Sequence, residues 1–185
     1  MNTISTIEKG EYQLNSSLRV TLDTSIKFKL GNNYIITGEN GIGKSTFITK
    51  LLIPSAIVNS KDNFLIFYAS QDFTIQYYVI KCYYNGLLNE KNDFGSIDKV
   101  IDFIKLKFVD FKSFTTQNIV FIVDEIDQYL TIENFLYNLD STNYSIFLST
   151  HNEKNFKSNL IFHKINFEKL SRDKSKIMLN DESNY

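Results

Sequence analysis

The chain has 185 residues, of which 43% are hydrophobic and 22% are charged, and its formal net charge is −1. This composition predicts a single globular domain over residues 1–185, and the near-neutral charge argues against a nucleic-acid partner. One cysteine, Cys82, excludes an internal disulfide, and no signal peptide or membrane-length apolar run is present, so we expect a cytoplasmic protein.

The first part of the chain has the pattern of short strands. Leu18–Leu22 and Ile26–Leu30 both alternate apolar and polar residues, and Asp23–Ser25 between them has turn composition. We therefore expect two antiparallel strands here. Tyr34–Thr37 is a short apolar run that predicts a buried strand leading into the next segment.

A glycine-rich segment follows that strand and fits the pattern G-x-x-x-x-G-K-[ST]. Its glycines let the backbone curl around a phosphate chain, Lys44 would reach the β- and γ-phosphates, and the Ser45 hydroxyl would ligate Mg²⁺. A helix is predicted from Lys44 to Ile53, ended by Pro54. The alternative is a chance glycine-rich turn. The segment comprises Gly38, Glu39, Asn40, Gly41, Ile42, Gly43, Lys44, Ser45 and Thr46.

The middle of the chain alternates strand and helix patterns. Phe64–Ala69 is an apolar run that predicts a strand, and the aromatic-rich segment Phe73–Asn92 is interpreted as helical. A further helix is predicted from Ile97 to Phe111. The apolar face of that helix should consist of Val100, Ile101, Ile104 and Phe108.

Two acids follow the most apolar strand of the sequence. Asn118–Asp124 predicts a fully buried parallel strand, with Asp124 and Glu125 at its carboxyl end. Such an aspartate holds Mg²⁺, and an adjacent glutamate can accept a proton from the water that attacks a γ-phosphate. Alternatively, both acids cap a turn into the short helix predicted over Thr131–Leu139.

Two further polar residues follow apolar strands. Gln71 comes after Phe64–Ala69, and His151 comes after the strand predicted over Tyr144–Thr150. Gln71 could coordinate Mg²⁺ or water and His151 could contact the γ-phosphate, although each could be an ordinary polar strand end. A final hairpin is predicted from Leu160–Phe167 and Lys176–Leu179. Together these elements predict an α/β fold.

In this order, the glycine-rich segment, Gln71, Asp124-Glu125 and Thr150-His151 resemble the Walker A, Q-loop, Walker B and switch-histidine motifs of the ATP-binding cassette (ABC) ATPases. The resemblance implies a P-loop fold of ABC type. It has a mostly parallel central sheet flanked by helices, an N-terminal antiparallel β segment and a helical subdomain over about 72–113. It also implies an ATPase that uses ATP and Mg²⁺, with ATP sandwiched in a head-to-tail dimer with itself or a homologous subunit.

Two positions match the family less closely. Tyr12 lies where the family keeps the aromatic residue that stacks on adenine, although a core role would also explain it. The family's Leu-Ser-Gly-Gly-Gln signature is absent, and its nearest counterpart is Phe94–Asp98. Within that stretch, Ser96 could contact a γ-phosphate across a dimer or simply cap the following helix.

The resemblance leaves three functions open. The first is the nucleotide-binding subunit of an ABC transporter, held at the inner face of the cell membrane by an integral membrane partner. The second is a soluble ATPase of the DNA-maintenance or repair kind. The third is a switch that holds ATP without hydrolysing it, which the missing signature suggests.

Overall fold

The computed structural model describes residues 3–59, 64–80, 89–111, 118–125, 134, 143–151 and 160–184. The chain divides into two compact units: the first comprises Met1–Ser60 and Leu148–Tyr185, and the second comprises Lys61–Phe147. Strands predominate over helices among the described residues. The prediction of a single domain over residues 1–185 stays a prediction.

The described residues form twelve strands and four helical segments. The strands are β1 (Thr3–Ile7), β2 (Gly10–Asn15), β3 (Leu18–Leu22), β4 (Ile26–Lys29), β5 (Asn33–Thr37), β6 (Phe64–Ala69), β7 (Thr74–Ile80), β8 (Asn89–Asp93), β9 (Asn118–Asp124), β10 (Asn143–Thr150), β11 (Ile161–Lys169) and β12 (Lys174–Asn184). The helical segments are α1 (Lys44–Phe47), a π-helix (Ile48–Leu52), α2 (Ile53–Asn59) and α3 (Ile97–Phe111).

In the first unit, strands lie in the order β2-β3-β12-β11-β5. The β2–β3 and β11–β12 pairs are antiparallel, whereas the β3–β12 and β5–β11 pairs are parallel. The predicted C-terminal hairpin is therefore confirmed. The predicted pairing of the first two strand runs is wrong, because β4 pairs with β1 in a separate two-stranded sheet. Ile26 and Phe28 of β4 are buried there beside Ile4 and Ile7 of β1.

The helix after the glycine-rich segment begins at Lys44 as predicted, but it does not end at Pro54. It continues through the π-helix and α2 to Asn59. A proline lacks the amide donor and clashes with the carbonyl four residues earlier in a regular α-helix. A π turn just before Pro54 widens the helix at that carbonyl, and the helix therefore continues past the proline.

In the second unit, strands lie in the order β10-β9-β6-β7-β8, with Asn143–Phe147 of β10 in this unit. β9 runs parallel to β6, and β7 pairs antiparallel with both β6 and β8. All seven residues of β9 are buried. The prediction of a fully buried parallel strand ending at Asp124 is therefore confirmed.

The predicted helix over Phe73–Asn92 is wrong, because this segment contains strands β7 and β8. The reason lies in the neighbouring residues Tyr77 and Tyr78, which point to opposite faces of β7 and are 4% and 8% exposed. Aromatic side chains buried on both faces remove the alternation by which a strand is recognised. On one face the Tyr77 ring packs 5.6 Å from the ring of Phe103 in α3.

The predicted ABC-type fold class is therefore wrong. The described sheet in each unit mixes parallel and antiparallel neighbours instead of being mostly parallel and flanked by helices. In the predicted helical subdomain, about 72–113, two of the three described elements are strands. Antiparallel neighbours can be joined by a tight turn, whereas each parallel pair needs a crossover connection, which is usually a helix. The predicted alternation of strands and helices requires a crossover between every pair of strands, and the structure replaces several of these by tight turns.

The third element in that range, α3, has its predicted bounds, Ile97–Phe111. Its predicted apolar face is buried at Val100, Ile101 and Ile104, while the side chain of Phe108 lies outside the described residues. The helix predicted over Thr131–Leu139 also lies outside them, apart from Asn134. None of the helices in the described ranges is long and apolar enough to cross a bilayer.

Candidate functional site

The glycine-rich segment joins β5 to α1 in the first unit, as the sequence predicted. The Ile42 amide donates to the Glu39 carbonyl at 3.3 Å, which closes the turn, and the Phe47 amide donates to the Gly43 carbonyl at 2.8 Å, which starts the helix. The Phe47 ring then packs edge-on against Phe167 of β11, with the ring centroids 5.4 Å apart. The segment is thus fixed at both ends by the sheet, and we call it the phosphate loop after the role that the sequence predicts for it.

The Lys44 side chain is folded into the phosphate loop. The residue is only 4% exposed, and its ammonium Nζ donates to the carbonyls of Gly38 at 3.0 Å and Glu39 at 3.1 Å. An ammonium is withdrawn from water only where hydrogen-bond acceptors replace its hydration. The loop therefore holds a positive charge at a fixed position within its own curve.

Two backbone amides of the loop are available to a ligand. Among the described residues, the amides of Gly41 and Gly43 donate to no acceptor. Ser45 at the start of α1 is exposed, and Thr46 is half-buried. Amides in a glycine turn, a fixed ammonium and an adjacent hydroxyl are the groups that bind a phosphate anion.

The hairpin β11–β12 contacts the loop through two residues that no sequence motif predicts. A Cβ added at Gly38 would lie 2.9 Å from the Cβ of Phe167 and 3.1 Å from its carbonyl oxygen. The Ser175 hydroxyl, on a residue only 2% exposed, donates to the Ile42 carbonyl at 3.5 Å. No motif marks Phe167 or Ser175, because their role depends on strands joined over more than 120 residues of sequence.

The first glycine of the loop should tolerate substitution less well than the second. Gly38 and Gly41 both have a positive φ, of 148° and 74°, but nothing lies within 4 Å of a Cβ built at Gly41. We expect Gly41→Ala to cost about 1–2 kcal/mol of backbone strain, and Gly38→Ala to cost a further ~1–3 kcal/mol because Phe167 must move. Urea unfolding of the two variants measures the difference, and equal losses would contradict this packing.

A cleft of about 60 Å³ opens beside the loop, entirely within the first unit. One of its walls is the first half of the phosphate loop, and the other is the β11–β12 hairpin. The hairpin wall carries two cationic side chains, Lys169 and Arg172, both exposed. The residues that line the cleft are Leu18, Glu39, Asn40, Gly41, Ile42, Lys169, Ser171, Arg172 and Ser175.

Two other predicted site residues also belong to the first unit. Tyr12 lies half-buried on β2, and its hydroxyl donates to the Glu8 carbonyl at 2.7 Å. This bond uses the polar end of Tyr12 and leaves the ring face as the part that could contact a base. His151 is exposed and directly follows β10.

In the second unit, the acid at the end of β9 is buried and held in place. Asp124 is 4% exposed, and its Oδ2 accepts a hydrogen bond of 3.1 Å from the hydroxyl of Tyr68 on β6. Burial, together with the adjacent Asp124 carboxylate, raises the pKa of Tyr68, so its hydroxyl stays protonated and donates. Tyr68 thus holds the Asp124 carboxylate, and the sequence pattern, which marks Tyr68 only as part of an apolar strand, gives no sign of this contact.

Glu125, the next residue, has a strained backbone. Its φ is 53°, in the left-handed region that side chains other than glycine rarely adopt. This conformation costs roughly 1–2 kcal/mol, and residues held in it cluster at functional sites. Glu125 is half-buried and directly follows the last residue of β9.

Gln71 and Ser96 occupy turns of the second unit. Gln71 is exposed in the tight turn between β6 and β7, which the Phe73 amide closes by donating to the Ser70 carbonyl at 3.0 Å. Ser96 precedes α3, and its carbonyl accepts the Val100 amide at 3.2 Å, as expected of a helix cap. Within the described part of the chain, no three His, Cys, Asp or Glu residues form a metal-binding cluster.

Comparison with known proteins does not assign a family. No protein-family model matches the chain, and no curated protein matches it. The phosphate loop and the acids that end β9 are therefore the features that bear on function.

Proposed function

We propose that this chain binds ATP with Mg²⁺ at the phosphate loop and hydrolyses it to ADP and phosphate. The observation that carries the proposal is the Lys44 ammonium, buried within the loop and bound to the carbonyls of Gly38 and Glu39. A lysine already held at this position offsets part of the negative charge of a triphosphate, and its side chain loses little conformational entropy when the ligand binds. Withdrawing this charge from water costs free energy, which the two hydrogen bonds offset in part and the charge of a bound triphosphate would offset further.

The residues of the loop fit both the triphosphate and the metal. The amides of Gly41 and Gly43 offer hydrogen bonds to phosphate oxygens. The exposed Ser45 hydroxyl is an oxygen donor of the type that Mg²⁺ prefers. A protein cage of three acids is not required, because Mg²⁺ in such sites takes most of its ligands from phosphates and water. The metal would neutralise charge on the phosphates.

The sequence pattern assigns hydrolysis to the acids that end β9. Asp124 is predicted to serve the metal and Glu125 to accept a proton from the attacking water, as the bond from that water to phosphorus forms and the bond to ADP breaks. Two local features support these roles. Tyr68 fixes the Asp124 carboxylate, and Glu125 is held in a strained conformation. The contributions of Gln71, Ser96, His151 and Tyr12 stay predictions from the sequence.

Titration calorimetry of the wild-type chain with ATP, ADP and AMP tests the binding step. We expect ATP with Mg²⁺ to bind most tightly and AMP to bind least, because the loop contacts phosphates rather than the base. AMP serves as the matched control, since it carries the same base and ribose. A folded sample with no affinity for any purine triphosphate in the presence of Mg²⁺ would overturn the proposal.

The process that such an ATPase would drive stays a prediction from the resemblance. A transporter subunit should co-purify with an integral membrane protein from native membranes. A DNA-maintenance ATPase should instead hydrolyse ATP faster when DNA is added, with the stimulation lost at high salt. A switch should bind ATP and leave it intact over hours.

A further inference from the structure

The turn of the β11–β12 hairpin places two cations on the cleft beside the phosphate loop. Lys169 ends β11, and Arg172 lies in the turn before β12. Both line the cleft together with Asn40 and Gly41 of the loop. Glu39 is the one acid among the lining residues, so the cleft carries two positive charges against one negative charge.

Neighbouring cationic side chains in the same sheet form ion pairs, and in this respect they differ from Lys169 and Arg172. Lys174 lies 2.7 Å and Arg19 lies 3.5 Å from the carboxylate of Glu11, and Lys176 lies 2.6 Å from that of Asp23. The adjacent acid of the turn, Asp173, accepts its hydrogen bond from the Ser171 hydroxyl. Lys169 and Arg172, by contrast, form no ion pair with any residue in the described ranges.

We propose that Lys169 and Arg172 bind the phosphate groups of the nucleotide held by the phosphate loop, so that the hairpin turn forms a second, cationic wall of the site. This inference rests on the proposed function. The lining of the cleft supports it, because Gly41 of the loop and both cationic side chains line the same cleft. The planar fork of an arginine suits the paired oxygens of a phosphate, and a lysine supplies a mobile point charge.

Two hydrogen bonds hold the hairpin in place beside the loop. Ser175 lies in β12 just after the turn, and its buried hydroxyl donates to the Ile42 carbonyl of the loop. The Arg19 amide donates to the Asp173 carbonyl at 2.9 Å, which ties the turn to β3. The cationic wall is therefore attached to the loop whose ligand it would contact, and little ordering is needed on binding.

The test compares Lys169→Ala/Arg172→Ala with the matched control Lys174→Ala. The control removes a cation from the same hairpin, but Lys174 pairs with Glu11 and does not line the cleft. Each exposed phosphate contact should contribute a factor of about 3–10, so the double variant should bind ATP roughly 10- to 100-fold more weakly. The control should stay close to wild type. The salt dependence of ATP binding should also decrease in the double variant.

Inorganic tripolyphosphate serves as a second probe, because it carries the phosphates without base or ribose. An equal loss of affinity for tripolyphosphate and ATP supports the inference. A loss confined to ATP would place the cations on the base or ribose and would overturn it. Wild-type affinity in a folded double variant would overturn the inference alone, whereas a wild-type chain that binds neither ligand would overturn the proposed function as well.

Discussion

Replacing Lys44 by alanine is expected to abolish ATP binding. The ammonium is the one charge that the loop itself holds at a fixed position, and it is bound to the carbonyls of Gly38 and Glu39. Two of the three N–H groups of the ammonium donate to these carbonyls, so we count one charge-assisted hydrogen bond to a phosphate, worth about 1.5–3 kcal/mol, together with the attraction of the ammonium to the triphosphate charge. Their loss should weaken binding by roughly 100-fold or more. Titration calorimetry with ATP and Mg²⁺ measures this loss.

A second variant separates loss of charge from loss of structure. Lys44→Ala leaves two carbonyls without their partner, whereas the amide of Lys44→Gln can still donate to one of them. We expect Lys44→Gln to stay folded in urea titrations and still to bind no ATP. Lys50→Ala, at an exposed position of the π-helix, is the control and should bind normally. Near wild-type affinity in folded Lys44→Gln would contradict the assignment of the loop.

Replacing Glu125 by glutamine should remove ATP hydrolysis while ATP binding is retained. The amide has the shape of the carboxylate but cannot accept a proton from water, and general-base catalysis contributes typically 10²- to 10⁴-fold. The left-handed backbone costs the same for both side chains, so the fold should be unchanged. Phosphate release measures turnover, and size-exclusion chromatography in ATP tests whether this variant accumulates as a dimer.

The control for this variant is Asp102→Asn in α3. Asp102 is a well-exposed acid of the same unit that pairs with Lys105 at 3.6 Å, and its replacement also removes one negative charge. Turnover of this control should match wild type. If Glu125→Gln hydrolyses ATP as fast as wild type, another group must be the base, and the strained backbone at Glu125 would need a different explanation.

Two elements whose whole signal lies in one segment have the structure that the sequence predicts. The strand Asn118–Asp124 has an unbroken apolar run from Ile119 to Val123, which predicts burial on both faces. The helix Ile97–Phe111 has an apolar stripe of helical period. In each case the pattern comes from residues that are neighbours in sequence, and the structure has the predicted element at those residues.

Two of the wrong predictions concern segments whose structure depends on partners distant in sequence. Tyr77 is buried against Phe67 on the neighbouring strand and Phe103 on α3, and these contacts make a strand of a segment that was assigned to a helix. β4 alternates as predicted but pairs with β1 rather than β3, since pairing depends on which apolar faces are buried together. Residue propensity and hydrophobic period determine neither the structure of the Tyr77 segment nor the partner of β4.

The sequence by itself determined the strand–glycine turn–helix segment that we propose binds phosphate, because glycine spacing, a lysine and a hydroxyl are a local requirement of phosphate binding. It also placed Asp124 and Glu125 at the end of a buried strand. Only the tertiary structure decided the mixed β architecture and brought Phe167, Ser175, Lys169 and Arg172 to the loop. Those four residues lie more than 120 positions from the loop, and no pattern of neighbouring residues records a contact that strand pairing creates.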